Sequence, residues 1–361
     1  MKRIFAALLA SAMFATAFTA CSGGSSTASS SAPAAPAESA PAASTAPAAS
    51  TPAASGETYK IYMISMDQMD QHWVNMDKGC QKAVAELGNV DYKWSAPDVK
   101  DDAKQIECIN NAVADGAQAI LLAANGPDAD VAALKEAEAA GVKIVYVDSP
   151  ANHPAVKTFA TDNVAAGKTA GEEMLKALNE KGITEGKIGI INTNAATTST
   201  VDRENGFRSA FEGTNFEIGE TQYSEGDAAK SKDIATNYIA QGCVGIFGTN
   251  EGCTVGTGNA IKEDGGDVIG VGFDKSDMIQ SLIKDGSLLC TMAQNPDVMG
   301  YEGIKAAVAA LDGTDAGDGS TVDTGVTVLN AAAVAKKTKY NIRSKKKPRG
   351  GLSRLVPFSM F

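Results

Sequence analysis

The chain has 361 residues, 44% hydrophobic and 21% charged, with 36 Gly and 12 Pro, enough for two ordinary domains with cores of their own and not the composition of a disordered chain. Its 32 basic and 43 acidic residues leave a net charge of -11; residues 336–361 hold nine Lys and Arg and no acid, so the chain before them carries -20. That field repels a phosphate backbone and argues against a nucleic-acid binder, while two His (His72, His153) and six Cys without a C-x-x-C give a zinc or redox centre nothing to build on.

Residues 1–20 run from a basic start (Lys2, Arg3) through an apolar stretch to small residues, the pattern of a secretory signal peptide. The apolar run from Ile4 to Ala20 is 17 residues long, rich in Ala and without a charged flank after it, which is short for a membrane span. Phe18-Thr19-Ala20-Cys21 looks like a bacterial lipobox, so Cys21 is expected to become the N-terminal residue and carry lipid, anchoring the chain to the extracytoplasmic side of the membrane. Residues 22–56 are almost wholly Ser, Gly, Ala, Pro and Thr, the composition of a flexible linker. Its random-coil reach is on the order of 30 Å. Cys80, Cys108, Cys243, Cys253 and Cys290 remain, an odd number from which no pairing follows; buried small hydrophobes are the expectation for most of them.

From Thr58 onward, short apolar runs alternate with helical patterns. Strands are expected at Tyr59–Ile64, Asp91–Trp94, Ala119–Ala123 and Lys143–Val147, with helices at Trp73–Leu87, Ala103–Ala114 and Asp128–Ala140 between them. After Thr161 the expected order is helix Val164–Leu178, strand Lys187–Ile191, helix Asp202–Phe211, strand Phe216–Tyr223 and helix Ala228–Ala240. Strand Val244–Phe247, helix Val255–Lys262, strand Asp267–Val271, helix Asp277–Lys284, strand Leu288–Met292 and helix Val298–Leu311 follow. Such alternation implies βαβ units and parallel sheets, and so many strands divide naturally into two doubly wound lobes.

In open parallel sheets the binding crevice lies at the carboxyl ends of the strands. The polar residues there are Asp67 and Asp70, Asp148 and Ser149, Asp162 and Asn163, Asn192 and Thr193, Asn250 and Glu251, Asp274, and Gln294 and Asn295, with Trp73 nearby. Carboxylates and amides suit the hydroxyls of a neutral polyol, and a Trp face suits the C–H face of a sugar ring. Other roles fit the same residues: an N-cap for Asp67, Asp162 or Asp277, a core position for Trp73, an exposed helix start for His72. The series Met63, Met66, Met69 and Met76 reads as core filler, not a copper site. There is no G-x-S-x-G and no Walker loop, and Gly256-Thr257-Gly258 lacks the third Gly of a dinucleotide fingerprint. Binding without chemistry, and without a cofactor or metal, is the class this leaves.

Several segments taken together resemble the type I periplasmic-binding-protein family, specifically the ribose-binding-protein-like sugar receptors of ABC importers. They are Met66–Gly79 (MDQMDQHWVNMDKG), Val147-Asp148-Ser149, Thr161-Asp162-Asn163, Arg203–Phe207 (RENGF), Phe247–Glu251 (FGTNE), Val271–Asp274 (VGFD) and Ala293–Asp297 (AQNPD), within a likeness spanning residues 57–335. The resemblance implies that Asp70 bonds sugar hydroxyls, that His72 and Trp73 stand at an aromatic pair sandwiching the ring, and that Asp148, Asn250, Asp274 and Gln294 are hydroxyl-binding groups. Ser149 stands where the ribose receptor has an Arg, Val201 lies near the place of its second Arg, and Gly226 replaces an aromatic, so ribose itself does not follow; Arg203 is a fallback donor.

The resemblance further implies two lobes, residues 57–162 with 295–322 and residues 163–294 with 323–335, joined by three crossings near Thr161–Asn163, Gln294–Pro296 and Thr321–Thr324. Asp70, Trp73 and Asp148 would come from the first lobe and Asn250 and Asp274 from the second, with Gln294 at the hinge. Closure on a sugar would let a permease tell the filled protein, a monomer, from the empty one. A receptor of the same fold for a nucleoside or a signalling furanose, reporting to a sensor kinase or chemoreceptor, is the alternative. Residues 336–361 turn abruptly basic, with Pro348, Gly350 and Gly351, and read either as a non-homologous end or as a polybasic segment drawn to anionic envelope polymers or lipid.

Overall fold

The computed structural model describes residues 57–336. The expected signal peptide, Cys21, the linker and the tail after Lys336 lie outside the described residues. A first run of elements comprises β1 (Tyr59–Ile64), α1 (Gln71–Leu87), β2 (Val90–Ser95), α2 (Asp102–Ala114), β3 (Ala119–Leu122), α3 (Val131–Ala139), β4 (Lys143–Val147) and β5 (Thr158–Ala160). A second comprises α4 (Asn163–Glu180), β6 (Glu185–Asn192), α5 (Thr198–Ser209), β7 (Asn215–Ile218), β8 (Gln222–Tyr223), α6 (Ala228–Ala240), β9 (Cys243–Gly248), α7 (Glu251–Asp264), β10 (Ile269–Phe273), α8 (Asp277–Lys284) and β11 (Cys290–Gln294). The described chain finishes with α9 (Pro296–Leu311), β12 (Thr321–Asp323) and β13 (Val326–Asn330).

Two sheets result. The first is parallel throughout, in the order β12-β5-β4-β3-β1-β2; the second runs β13-β11-β10-β9-β6-β7, with β8 also on β6, and is parallel except where β13 meets β11. The chain leaves the first sheet after β5, returns to it after β11, and crosses again between β12 and β13. These three crossings are tied together: Asn295 Nδ2 donates to Thr324 O at 2.9 Å, and the Asp162 amide donates to Asp323 Oδ1 at 3.1 Å.

Each sheet is buried on both faces, as parallel sheets require. The two-residue period of β1 turns Ile61 and Met63 toward a cluster shared with α1 and α9, and Tyr62 and Ile64 toward one shared with α2 and α3. In the second sheet Ile188 and Ile190 pack with residues of α4 and α5, while Ile191 and Ile246 face α6 and α7. Glycine lets helices touch closely: a Cβ at Gly79 of α1 would lie 2.0 Å from Asp297 O of α9, and one at Gly206 of α5 would lie 2.0 Å from Val164 O of α4. Any larger residue at either place must push helix from helix.

Some elements differ from the sequence reading. The single strand expected over Phe216–Tyr223 divides into β7 and β8, interrupted at Gly219-Glu220-Thr221. Helix α5 starts at Thr198, not Asp202, because Asn194 Oδ1 accepts from the amides of Ala196 and Thr197 and opens the helix there. β5 and β12 have three residues each, too few for a period to show. Cys80, Cys108, Cys243, Cys253 and Cys290 are free thiols, four of them buried. No helix among the described residues is long and apolar enough to cross a membrane.

Candidate functional site

β4 and β10 end in the same way. The residue after each is an aspartate with positive φ, 64° at Asp148 and 73° at Asp274, and the amide of each bonds the carbonyl of a neighbouring strand, Phe159 or Met292. Aspartate visits this region more easily than most residues, yet the conformation still costs about 1–3 kcal/mol and persists only where its surroundings hold it. Here it brings one carboxylate from each sheet to a shared, buried space, with both residues 4% exposed.

His72, in the first turn of α1, stands between them: Nε2 lies 3.0 Å from Asp148 Oδ2 and Nδ1 lies 3.2 Å from Asp274 Oδ1. Burial works against a charged ring, but the attraction of Asp274 and Asp148 outweighs it and pushes His72 up to about 10. In return, and against their own burial, His72 and Arg203 hold Asp274 down to about 2 and Asp148 below the usual carboxylate range. The ring is an imidazolium linking the two sheets.

Gln294, at the end of β11, donates to Asp274 Oδ1 at 2.6 Å and accepts from Thr161 Oγ1 at 2.8 Å and Arg203 Nη2 at 2.9 Å. Arg203 also donates to Asn163 Oδ1 and Thr249 O, lies 3.8 Å from Asp148, and stacks over Phe273. Beside the crossings, this network fixes the rear wall of the cleft. Ser149 stands behind it, its Oγ accepting from the Ser199 amide at 3.3 Å.

A second buried cation lies nearby. Lys100, in the loop after β2, bonds Asp67 and reaches Asp70 Oδ2 at 3.1 Å. Asp70 precedes α1 but caps nothing; its carboxylate turns to Lys100 and to Asn250 Nδ2, 3.5 Å away at the start of α7. Burial, with Asp67 and Asp274 adding to it against the pull of Lys100, raises Asp70 to about 6. Glu251 accepts from the His72 amide at 3.0 Å, and burial beside Asp70 and Asp274 raises it to about 7. Gly226, at φ 69°, leaves the room these groups use: a Cβ there would lie 2.8 Å from Asn250 Nδ2 and 3.0 Å from Lys100 Nζ.

Asp70, His72, Trp73, Asp148, Arg203, Asn250, Asp274 and Gln294 line one cavity of about 20 Å³, into which Lys100, Thr193, Ser199 and Thr200 also open. That is room for about one water and far below the usual size of a ligand pocket, so the lobes must part to admit any larger molecule. Trp73 is 3% exposed, and its ring meets His72 edge-on at 4.8 Å, leaving no gap between the two rings in this arrangement. Its Nε1 and Thr193 Oγ1 are buried without a partner. A groove of about 570 Å³ shares His72, Asp274 and Gln294 with the cavity and runs outward past Lys78, Lys82 and Tyr301.

Residues 61–315 match the periplasmic binding protein domain family. The chain belongs to that family. Its fold is the type I form, two parallel-sheet lobes joined by three crossings. This binding protein is 29% identical to the ribose import binding protein of Haemophilus influenzae over 67% of its own length and 82% of that protein's. It is similar to an ABC transporter solute binding protein from Agrobacterium vitis with bound D-fucose, at 30% identity and TM-score 0.72 over 78% of this chain and 99% of the other. A carbohydrate transporter solute binding protein from Agrobacterium radiobacter in complex with D-arabinose gives 28% identity and TM-score 0.73, covering 79% and 98%.

Lys100, Met66, Thr193, Ser199 and Thr200 line the cavity, and Asp67 and Glu251 bond residues that line it, without having been in the sequence choice of site. The signal for Lys100 was its place at the carboxyl end of β2, where the other strands also deliver their polar groups. Asp67 and Glu251 stand at such ends too, and Asp67 also fits a helix N-cap. Asp162 is the opposite case: its Oδ1 accepts from the Ala165 amide at 3.0 Å and caps α4.

Proposed function

We propose that the chain is an extracytoplasmic solute-binding protein, tethered through lipid on Cys21, that captures a monosaccharide or small polyol between its lobes and delivers it to the permease of an ABC-type importer. It performs no chemistry and needs no cofactor or metal. Residues 57–162 with 295–322 act as one lobe and residues 163–294 with 323–335 as the other, in a monomer. The observation that carries this reading is the convergence of buried carboxylates, amides and cations from both sheets on one cavity, with Trp73 Nε1 and Thr193 Oγ1 still wanting partners. Hydroxyl groups, each a donor and an acceptor, can satisfy such a lining from both sides at once. Family membership and relatives named for ribose, D-fucose and D-arabinose support the same class.

A ligand that reaches both sheets favours the closed form, and a permease that recognises that form senses the cargo. The test is a thermal-shift screen of the protein against monosaccharides, polyols, small oligosaccharides and nucleosides. A ligand at 100 times its Kd adds about 2.7 kcal/mol to stability, so one pentose or hexose should raise Tm clearly. A rise with nucleosides alone would replace the sugar by a nucleoside, and no rise with any compound would contradict the reading.

A further inference from the structure

We propose that the preferred ligand is a saccharide bearing a positive charge, an amino sugar with a free amine, in preference to a neutral sugar. The proposal rests on the saccharide reading above and narrows it. Around the cavity five carboxylates, Asp67, Asp70, Asp148, Asp274 and Glu251, meet three cations, Lys100, His72 and Arg203, and all eight side chains are buried or nearly so. The site is short of positive charge.

The cations are not equivalent. Lys100 is committed to Asp67 and Asp70, and Arg203 to Asn163, Thr249 and Gln294, so both stand at the edge of the space a ligand would enter with their charges already engaged. His72 alone fills that space, its two ring nitrogens 3.0 and 3.2 Å from the carboxylates of the two sheets. In the closed arrangement a single cation thus stands between Asp148 and Asp274, close to both, with its Nε2 completing no hydrogen bond. A ligand seated between these carboxylates must push the imidazolium aside. A neutral hydroxyl then leaves two buried charges with a weaker partner, whereas an ammonium restores the charge and donates three hydrogen bonds.

Asp70 and Glu251 add to the argument. They lie on the second-sheet side of α1, within reach of the same ligand, and burial beside other carboxylates raises both above their ordinary values. A cationic ligand relieves that repulsion and a neutral one does not. The strongly acidic body of the chain, -20 before residue 336, concentrates cations near the cleft as well.

The experiment is titration calorimetry of the protein at pH 7 with D-glucosamine, D-galactosamine and D-mannosamine, each beside its neutral parent hexose and its N-acetyl derivative. The expected result is that one free amine binds more tightly than both counterparts by about tenfold or more, the equivalent of about 1.4 kcal/mol. The preference should fall as pH is raised and the amine loses its proton, and Asp148→Asn should reduce it more than it reduces binding of the neutral parent. A neutral sugar binding as tightly as every amine tested would overturn the proposal while leaving the saccharide reading intact. Binding of no saccharide of either kind would overturn both.

Discussion

Lys100 and His72 are both buried cations held between two carboxylates, but the first group draws its charges from one lobe and the second from both. Asp67, Asp70 and Lys100 all come from loops at the carboxyl ends of β1 and β2, so they travel together whatever the lobes do. His72 and Asp148 belong to the first sheet's side and Asp274 to the second's, so their full set of contacts exists only when the lobes are closed. The difference separates architecture from action: a charge cluster within a lobe shapes the cleft, and one across it sets the balance between open and closed.

The largest effect is expected from breaking the confined group. Lys100→Met leaves Asp67 and Asp70 buried without their cation and should cost about 3–5 kcal/mol in denaturant unfolding. An unchanged unfolding midpoint would show that water already reaches this cluster. Asp274→Asn, whose side chain also tolerates positive φ, should act on the other quantity, weakening ligand affinity by roughly tenfold to a hundredfold through loss of a charged hydrogen-bond acceptor, with little change in unfolding.

pH divides the two groups again. In this closed arrangement His72 stands at about 10 against an ordinary 6.5, Asp70 at about 6 against 3.8 and Glu251 at about 7 against 4.5, so an open form that returns these groups to water should release protons. Raised values stabilise the closed form fully below the ordinary values, and that support is lost as pH climbs through the raised ones. Asp274 and Asp148, held low by His72 and Arg203, oppose this only in strong acid. Small-angle scattering of the ligand-free protein should therefore show a more open average shape at pH 9 than at pH 6, and equal shapes would contradict the assignment of His72 as the interlobe cation. His72→Ala should change unfolding stability by no more than about 1 kcal/mol, because parting lobes let water reach Asp148 and Asp274. The smallest effect belongs to the cleft rim: Thr198→Ala removes a 3.4 Å bond to Pro150 O and should stay within about 0.5 kcal/mol.

What the residues alone disclosed follows the same division. β1 and β4 begin and end where the apolar runs predict, and α8 where Ser276 supplies its cap, because local pattern and packing agree there. The strands β5 and β12 depend on partners brought from far along the chain, and three residues each carry too little pattern to announce that. In the site, Asp148 and Asp274 were legible because a polar residue directly after a buried strand has few other reasons to be there. Lys100 was not: Ala96-Pro97-Asp98-Val99-Lys100-Asp101 reads as a solvated loop, and only the fold shows its ammonium buried. The edge-on meeting of His72 and Trp73 depends on side-chain rotation, which spacing does not encode.

The most direct test of the central claim is to titrate the sugar that raises Tm into the protein, into Asp148→Ala and into Asp274→Ala, following heat. These two residues lie on different sheets and share no backbone neighbourhood. The account predicts one site per chain in the unaltered protein and a loss of about tenfold or more in affinity in each variant, because the ligand bridges both lobes. Wild-type affinity in either variant would contradict it, since the ligand would then be held from one side alone.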